Sequence, residues 1–201
     1  MSGHYRRLSL TQGASLCVVG IIVGLLFLFA APHVRPLSLG FLFLLGAWFC
    51  LWFFSHDLAH HVVGRVLGVG FRYYFLGRSA ITKLRLPMVS ELSSKIPVLG
   101  LKIDKHTLES VSPNKARTMY ASGAISSVLL PFLVLPTAYV ISTPIGILFT
   151  LLTLANSLFT IYFSSHVGDL HRARIQHDIL VSHPKPDYGS NASFCLEHVS
   201  F

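Results

Sequence analysis

Four long runs of apolar residues dominate the chain, at about 14–31, 37–55, 119–141 and 144–165, and the second continues without a helix-breaking residue to about 67. A helix needs about 20 mostly apolar residues to cross the roughly 30 Å hydrocarbon core of a bilayer. Within lipid, a spanning segment must satisfy its own backbone hydrogen bonds, which a helix does. The pattern therefore predicts four transmembrane helices, at about 14–31, 37–67, 119–141 and 144–167.

The first run has a second interpretation, because Arg6 and Arg7 precede it and Ala30 and Ala31 end it. Basic residues before an apolar stretch and small residues after it are typical of a cleaved signal peptide. Signal peptides, however, use an apolar region of only about 7–15 residues. We therefore expect an uncleaved helix here.

The segment between the second and third runs, about 70–113, has a different pattern. Apolar residues alternate with charged or small ones at 81–86 and at 99–104, which is the period of a half-buried strand. Aromatic residues beside cations at 71–75 are typical of a membrane interface. The sequence predicts a small β insertion here and a polar, loosely ordered tail at 180–201.

Composition and charge narrow the class of protein. Of the 201 residues, 52% are apolar and 12% are charged, which excludes a disordered chain. Three cysteines, two of them in apolar runs, exclude a disulfide scaffold. The net charge of +8 suggests nucleic-acid binding, but all sixteen Lys and Arg residues except Arg35 lie on one side of the predicted spans. Positive residues stay cytoplasmic, so topology explains the charge and we expect no nucleic-acid partner.

The predicted fold class is therefore an all-α integral membrane protein with the lipid bilayer as a partner. It has four transmembrane helices, both termini in the cytoplasm, and a small β insertion on the cytoplasmic face between helices two and three. Residues 1–179 are expected to form a single transmembrane domain.

Candidate chemistry lies directly after the second apolar run, in His56-Asp57-Leu58-Ala59-His60. Residues i and i+4 share a helix face, so His56 and His60 can hold one metal ion while Asp57 projects beside them. The same geometry makes H-E-x-x-H a zinc motif. Ionisable groups near the membrane mark function by default. The alternative is that these residues are simply the hydrated end of the helix.

A catalytic zinc uses a third protein ligand and leaves its fourth position to water. The predicted topology brings the end of the fourth helix level with the histidine pair. Asp169 is the first candidate for the third ligand, followed by His166 and His171. His61 lies about 100° around the helix from His60, so we expect it to pack or to hydrogen-bond rather than to bind the same ion.

Three segments resemble the site-2 protease family of intramembrane zinc metalloproteases over about 37–174. His56–His60 resembles the H-E-x-x-H of that family. The segment 112–127 resembles its basic lead-in and small-residue patch. Asn156 with Gly168-Asp169-Leu170 resembles its N…D-G ending, whose aspartate is the third zinc ligand. A β insertion between the first two segments also fits the family pattern.

The resemblance implies a function and a role for each site residue. One Zn²⁺ per chain would be held by His56, His60 and Asp169. Asp57 would act as the general base in hydrolysing a peptide bond in or near the spanning segment of a transmembrane protein substrate. Asn156 would hold the extended substrate strand, with a hydrogen bond between helices as the alternative role.

The sequence departs from the family pattern at several positions. Asp57 stands where the family has Glu, Ala124 where it has Pro, and Ser127 where it has Asn, and Gly168-Asp169 reverses the family order. Because Asp is one methylene shorter than Glu, the base would be displaced by about 1 Å, which can cost about 10²-fold in rate. A non-catalytic metal-binding membrane scaffold is therefore an alternative function.

A second enzyme class shares the pattern His56-Asp-x-x-His60-His61, namely membrane desaturases and hydroxylases with two irons. That chemistry needs further H-x-x-H-H boxes. The spacing of His166, His171 and His177 does not make one. We keep this class as the weaker alternative.

Overall fold

The computed structural model describes residues 6–78, 97–166, 168–172 and 174. In chain order its elements are strand β1 (Arg6–Leu8), helices α1 (Leu10–Ala30) and α2 (Leu37–Leu67), strands β2 (Phe71–Arg78) and β3 (Pro97–Ile103), and helices α3 (Lys105–Ser110), α4 (Pro113–Leu129), α5 (Val134–Ile141) and α6 (Thr143–His166). A 3₁₀ segment, Ala31–His33, extends α1, and another, Leu130–Leu133, joins α4 to α5.

Four helical segments in the described part of the chain are long and apolar enough to cross a membrane. They are Leu10–His33, Leu37–Leu67, Pro113–Ile141 and Thr143–His166, with mean hydropathies of 2.7, 2.1, 2.0 and 1.8. The number of membrane-length helices predicted from the apolar runs is therefore confirmed, and so is the presence of a small sheet beside them.

Capping residues set the ends of the first two helices. Ser9 and Gln12 form a reciprocal capping box, with both bonds 3.1 Å long, so α1 begins at Leu10. The predicted start at residue 14 was too late, because the polar residues before it lie outside the apolar run. Helix α2 ends at Gly68, whose φ of 90° is the left-handed conformation that glycine adopts readily.

The third helix differs most from its prediction. It begins at Pro113, six residues before the expected start at Met119, because the first turns of α4 carry Lys115 and Arg117 and so lie outside the uncharged run. Proline is favoured in the first turn of a helix. The segment is also not one continuous helix, since Pro131, which has no backbone N–H, lies in the 3₁₀ segment between α4 and α5.

The sheet has three antiparallel strands in the order β1-β2-β3. Strand β3 confirms the strand predicted over 99–104. Strand β1 was not predicted, because three residues are too few for a periodic signal. Its pairing with β2 shows that the sheet is not built from the insertion alone. The strand predicted at 81–86 and the polar tail at 180–201 lie outside the described residues.

The sheet lies at one end of the helices. Strand β1 leads into α1, β2 follows α2, and β3 leads through α3 into α4, so α1 begins where α2 ends. Tyr74 of β2 is wholly buried and packs with Cys17 of α1 and Leu99 of β3. This packing fixes the sheet beside the end of α2 that carries the histidines.

Helix α2 occupies the centre of the helical layer and packs against α1, α4 and α5. The main apolar cluster includes Leu44, Trp48 and Leu51 of α2 together with Val134 and Phe149. A buried hydrogen bond of 3.0 Å from the indole nitrogen of Trp48 to the hydroxyl of Thr153 joins α2 to α6. The central position of α2 therefore surrounds its histidine-bearing end with other elements.

Candidate metal centre

His56 and His60 lie one turn apart near the end of α2. Their i, i+4 spacing puts both imidazoles on one side of the helix, and the ring centroids are 4.8 Å apart. His60 is buried, whereas the side chain of His56 is 34% exposed. The helix thus offers two nitrogen donors at one place.

Asp169 reaches this place through a turn after α6. Residues 169–172 are helical again, and the backbone N–H of Leu170 donates to the hydroxyl of Ser164 at 3.1 Å. A Cβ atom on Gly168 would lie 2.8 Å from the Cα of Ser164, so the tight turn needs a glycine at that position. The turn presents the Asp169 carboxylate to α2.

The structure brings the three predicted metal ligands together. Oδ2 of Asp169 lies 3.2 Å from Nε2 of His56 and 3.2 Å from Nε2 of His60. The three ligand atoms all lie within 4.8 Å of one another. In a tetrahedral zinc site with bonds of about 2.0–2.1 Å, neighbouring ligand atoms are about 3.3 Å apart. The two distances to Asp169 are close to this value, and two imidazoles with one carboxylate are a known catalytic zinc ligand set, so the donor set fits the ion.

The hydrogen bonds behind the imidazoles set their orientation. Nδ1 of His60 lies 2.8 Å from the carbonyl oxygen of Met119. A carbonyl only accepts, so Nδ1 carries the proton and Nε2 of the neutral ring carries a lone pair. Nε2 of His60 and Oδ2 of Asp169 would then face each other with a lone pair each, 3.2 Å apart. Because two lone pairs repel, the contact requires a cation between the atoms, which is either a metal ion or a second proton on the ring. Metal-binding histidines typically donate their other N–H in this way.

His56 is held by a side chain of α4, the helix that also supplies the Met119 carbonyl. Its Nδ1 lies 2.9 Å from the hydroxyl of Ser127, which is buried. Helix α4 therefore contacts both imidazoles from behind, with a backbone carbonyl at His60 and a hydroxyl at His56. These contacts leave the two Nε2 atoms directed at Asp169.

Gly123 makes the close approach of α4 possible. A Cβ atom built on Gly123 would lie 2.2 Å from Nε2 of His60, far inside van der Waals contact. The absence of a side chain at position 123 therefore creates the space in which the His60 ring lies.

The Asp169 carboxyl, which lies beyond α6, has a shifted pKa. Burial alone would raise this pKa, but when the rings of His56 and His60 are protonated, their hydrogen bonds and charges hold it below its usual range. The carboxylate is therefore ionised at neutral pH, as a metal ligand must be.

A cavity of about 290 Å³ adjoins the three ligands. Its wall includes His56, Asp57, His60 and Asp169, together with apolar side chains of β2, β3 and α6 such as Phe71, Leu99, Leu101 and Phe163. Asp57 is only 7% exposed. The candidate base and the candidate ligands thus line one largely apolar space, which is the ordinary character of a ligand-binding cavity.

Asn156 lies between helices. Its side-chain nitrogen donates to the carbonyl oxygen of Ser127 at 3.2 Å, which joins α6 to α4. This contact is the interhelical hydrogen bond that the sequence left open, and Asn156 is not part of the described wall of the cavity. Ser127 also contacts the candidate ligand His56, so the hydrogen bond from Asn156 helps to hold Ser127 in place behind His56.

The other candidate histidines lie outside the ligand group. Nδ1 of His61 lies 2.9 Å from the hydroxyl of the buried Tyr74, so His61 joins α2 to the sheet. His166 is exposed and donates from Nδ1 to the carbonyl oxygen of Tyr162 at 2.8 Å. His171 is exposed as well.

Three supporting residues were not anticipated as such, namely Met119, Gly123 and Ser127. In the sequence, the small-residue patch stands out only through the family resemblance. The i, i+4 spacing of Gly123 and Ser127 places them on one face of α4, which matches the spacing of His56 and His60 on the facing helix. This match is the signal that could have found them.

Comparison of the chain with protein-family models, with curated proteins and with solved structures finds no match. The function is therefore argued from the geometry of the site.

Proposed function

We propose that this protein is a multi-pass integral membrane metalloprotease that hydrolyses a peptide bond in or near a membrane-spanning segment of a protein substrate. The observation that carries the proposal is the meeting of His56, His60 and Asp169. His60 and Asp169 are 109 positions apart in the chain, yet their ligating N and O atoms lie 3.2 Å apart. The resemblance to the site-2 protease family assigns the same three residues to one zinc ion.

The surface of the helices supports a location in the bilayer. The most exposed large apolar side chains include Phe29, Val66, Val140 and Leu158, all at least 70% exposed. Small hydroxyl residues are buried in the interior instead, namely Ser55, Ser127, Thr153, Ser157 and Ser164. An apolar exterior with small polar residues between helices is the pattern of membrane helices. Among the described residues, the cations Arg6, Arg7, Arg72 and Lys102 lie in the sheet, which supports a cytoplasmic location for that end and for both termini.

The residues at the site define what each would do. His56, His60 and Asp169 would hold Zn²⁺, which, when bound, supplies a Lewis acid that polarises a carbonyl group and acidifies water. Asp57, in the wall of the same cavity, would accept a proton from the attacking water and pass it to the leaving amine. Asp57 and His60 are buried, which limits their contact with bulk water and strengthens their electrostatic effect.

The substrate must be extended at the cleaved bond, because a helix engages its carbonyls in i to i−4 hydrogen bonds. Strand β3 supports this requirement. In the sheet that the described residues form, it is the last strand, and its residues Leu99, Gly100 and Leu101 line the cavity. A strand at the end of a sheet offers backbone groups that pair with an extended peptide.

Peptidase activity is tested by reconstituting the full chain with zinc in liposomes that contain a panel of single-span peptides. Products are read by mass spectrometry. We expect cleavage in or beside the spanning segment that stops in His60→Ala and on chelation of zinc. His166→Ala is the matched control, since His166 is exposed and lies outside the ligand group. Cleavage that persists in His60→Ala would contradict the proposal.

A non-catalytic metal-binding scaffold is the second candidate, favoured by one observation: Asp57 stands where the family has a glutamate. In the same experiment this candidate predicts zinc in the purified protein but no product from any peptide. A di-iron enzyme is less well supported, because within the described part of the chain the groups that can hold a metal comprise one set of three side chains.

A further inference from the structure

A second cavity, of about 720 Å³, lies between α2 and α4. Its described wall shares no residue with the cavity beside the candidate metal ligands. Its volume falls within the range of roughly 300–1,000 Å³ that is typical of ligand sites. Both helices belong to segments long and apolar enough to span a membrane. The cavity, here called the α2–α4 groove, therefore needs an explanation separate from the metal site.

One end of the groove is polar and positively charged. Asn114, Arg117 and Thr118 line it at the beginning of α4, near the sheet. Arg117 is exposed. The ion pairs found among the described residues involve Asp104 and Asp169 but not Arg117. Its guanidinium is thus free, within the described structure, to bind an anion at this end.

The other end of the groove is apolar. Ile125 and Leu129 line it and are 53% and 60% exposed, respectively. In between, the hydroxyl of Ser122 donates to the carbonyl oxygen of Met119 at 2.7 Å, and that of Ser126 donates to the carbonyl oxygen of Gly123 at 2.9 Å. The hydroxyl protons of Ser122 and Ser126 are therefore already engaged with backbone carbonyls of α4 and, for Ser126, of Ser55 in α2, so the middle of the groove offers no free hydroxyl donor.

The length of the groove matches one leaflet of a bilayer. An α-helix rises about 1.5 Å per residue, so Arg117 and Leu129 are about 18 Å apart along α4. Half of the hydrocarbon core measures about 15 Å. A cation at the interface and an apolar channel of this depth match the charge and the length of a phospholipid, and basic pockets between membrane helices bind anionic headgroups.

We infer that the α2–α4 groove binds one anionic phospholipid, with its phosphate at Arg117 and an acyl chain along Ile125 and Leu129. The inference rests on the proposed location in the membrane and not on peptidase activity. The separate walls of the two cavities mean that the lipid would not compete with a peptide at the metal site.

The test is native mass spectrometry of the delipidated full chain, titrated with phosphatidylglycerol or with phosphatidylcholine. One basic residue near a charged headgroup contributes about 1 kcal/mol, so we expect phosphatidylglycerol to bind about fivefold more tightly. Arg117→Gln should abolish this preference. Lys115→Gln is the matched control, because Lys115 is an exposed cation of the same helix that does not line the groove.

The acyl chain is tested by Ile125→Trp, which fills the apolar end and should weaken binding of both lipids. Zinc content, measured on each variant, should equal that of the wild type, because none of these residues touches the metal site. Equal losses in Arg117→Gln and Lys115→Gln would overturn the inference, and so would unchanged lipid binding in Ile125→Trp. Displacement of the lipid by an equal concentration of inorganic phosphate would also overturn it, since the site would then bind a free anion.

Discussion

Gly123 of α4 lies so close to His60 of α2 that a Cβ atom at position 123 would be 2.2 Å from Nε2 of the imidazole. No rotamer change at position 123 removes this overlap, because a Cβ atom is fixed by the backbone. The ring would have to move away from its hydrogen bond to the carbonyl of Met119, which is 2.8 Å long. A position without a side chain is thus part of the structure of the candidate metal centre.

Gly123→Ala should therefore weaken metal binding while leaving α4 helical. Displacing a ligand from its supporting contacts typically costs about 10–100-fold in metal affinity. The measurement is zinc affinity by competition with a chromophoric chelator. Ser122→Ala is the control, since the Ser122 hydroxyl bonds only within α4 among the described residues. Wild-type affinity in Gly123→Ala would show that His60 does not bind the metal in the observed position.

Ser127→Ala should lower metal affinity by about tenfold, because it removes the hydroxyl that lies 2.9 Å from Nδ1 of His56. The same chelator competition measures the change. Ser126→Ala is the matched control, since its hydroxyl donates to backbone carbonyls of Gly123 and Ser55 rather than to a candidate ligand. Equal effects of the two substitutions would mean that Ser127 acts only through helix packing.

Asn156→Ala separates the two roles considered for this residue. The hydrogen bond from Asn156 to the carbonyl of Ser127 predicts a loss of about 0.6–1 kcal/mol in the free energy of unfolding, the usual contribution of such a bond between membrane helices. Unfolding in detergent with increasing denaturant measures it. An unchanged stability together with a raised KM for the peptide substrate would assign Asn156 to substrate binding instead.

Asp57→Asn should keep zinc bound and reduce peptide cleavage by at least about 10²-fold, since an amide cannot accept the proton of the attacking water. Zinc content and the cleavage rate are measured on the same preparation. Asp104→Asn is the control, because Asp104 pairs with Arg72 on the exposed side of the sheet, away from the cavity. Full activity in Asp57→Asn would remove Asp57 from the mechanism.

The sequence predicted the helices well where a local signal marks their ends. Helix α2 runs over the predicted 37–67, since Pro36 precedes it and Gly68 ends it. Strand β1 and the first turns of α4 were missed, because three residues carry no periodicity and because charged residues such as Arg117 lie outside an apolar run. These elements depend on tertiary contacts that no short window of sequence contains.

The three candidate ligands were predictable, because i, i+4 spacing on a helix and a shared end of the helices require only coarse topology. The groups behind the ligands were not. The carbonyl of Met119 is a backbone atom without a side-chain signature, and Ser127 looks like any small residue in a packed membrane helix. The structure is needed to show how α4 is aligned along α2, which places Ser127 beside His56 and the Met119 carbonyl beside His60.

The central claim, that His56, His60 and Asp169 bind one zinc ion, is tested most directly by metal analysis of the protein purified in detergent. Elemental analysis should find about one zinc per chain in the wild type and almost none in Asp169→Ala, with X-ray absorption showing N and O neighbours at about 2.0–2.1 Å. A metal-free wild type after incubation with zinc, or equal zinc in wild type and Asp169→Ala, would contradict the account.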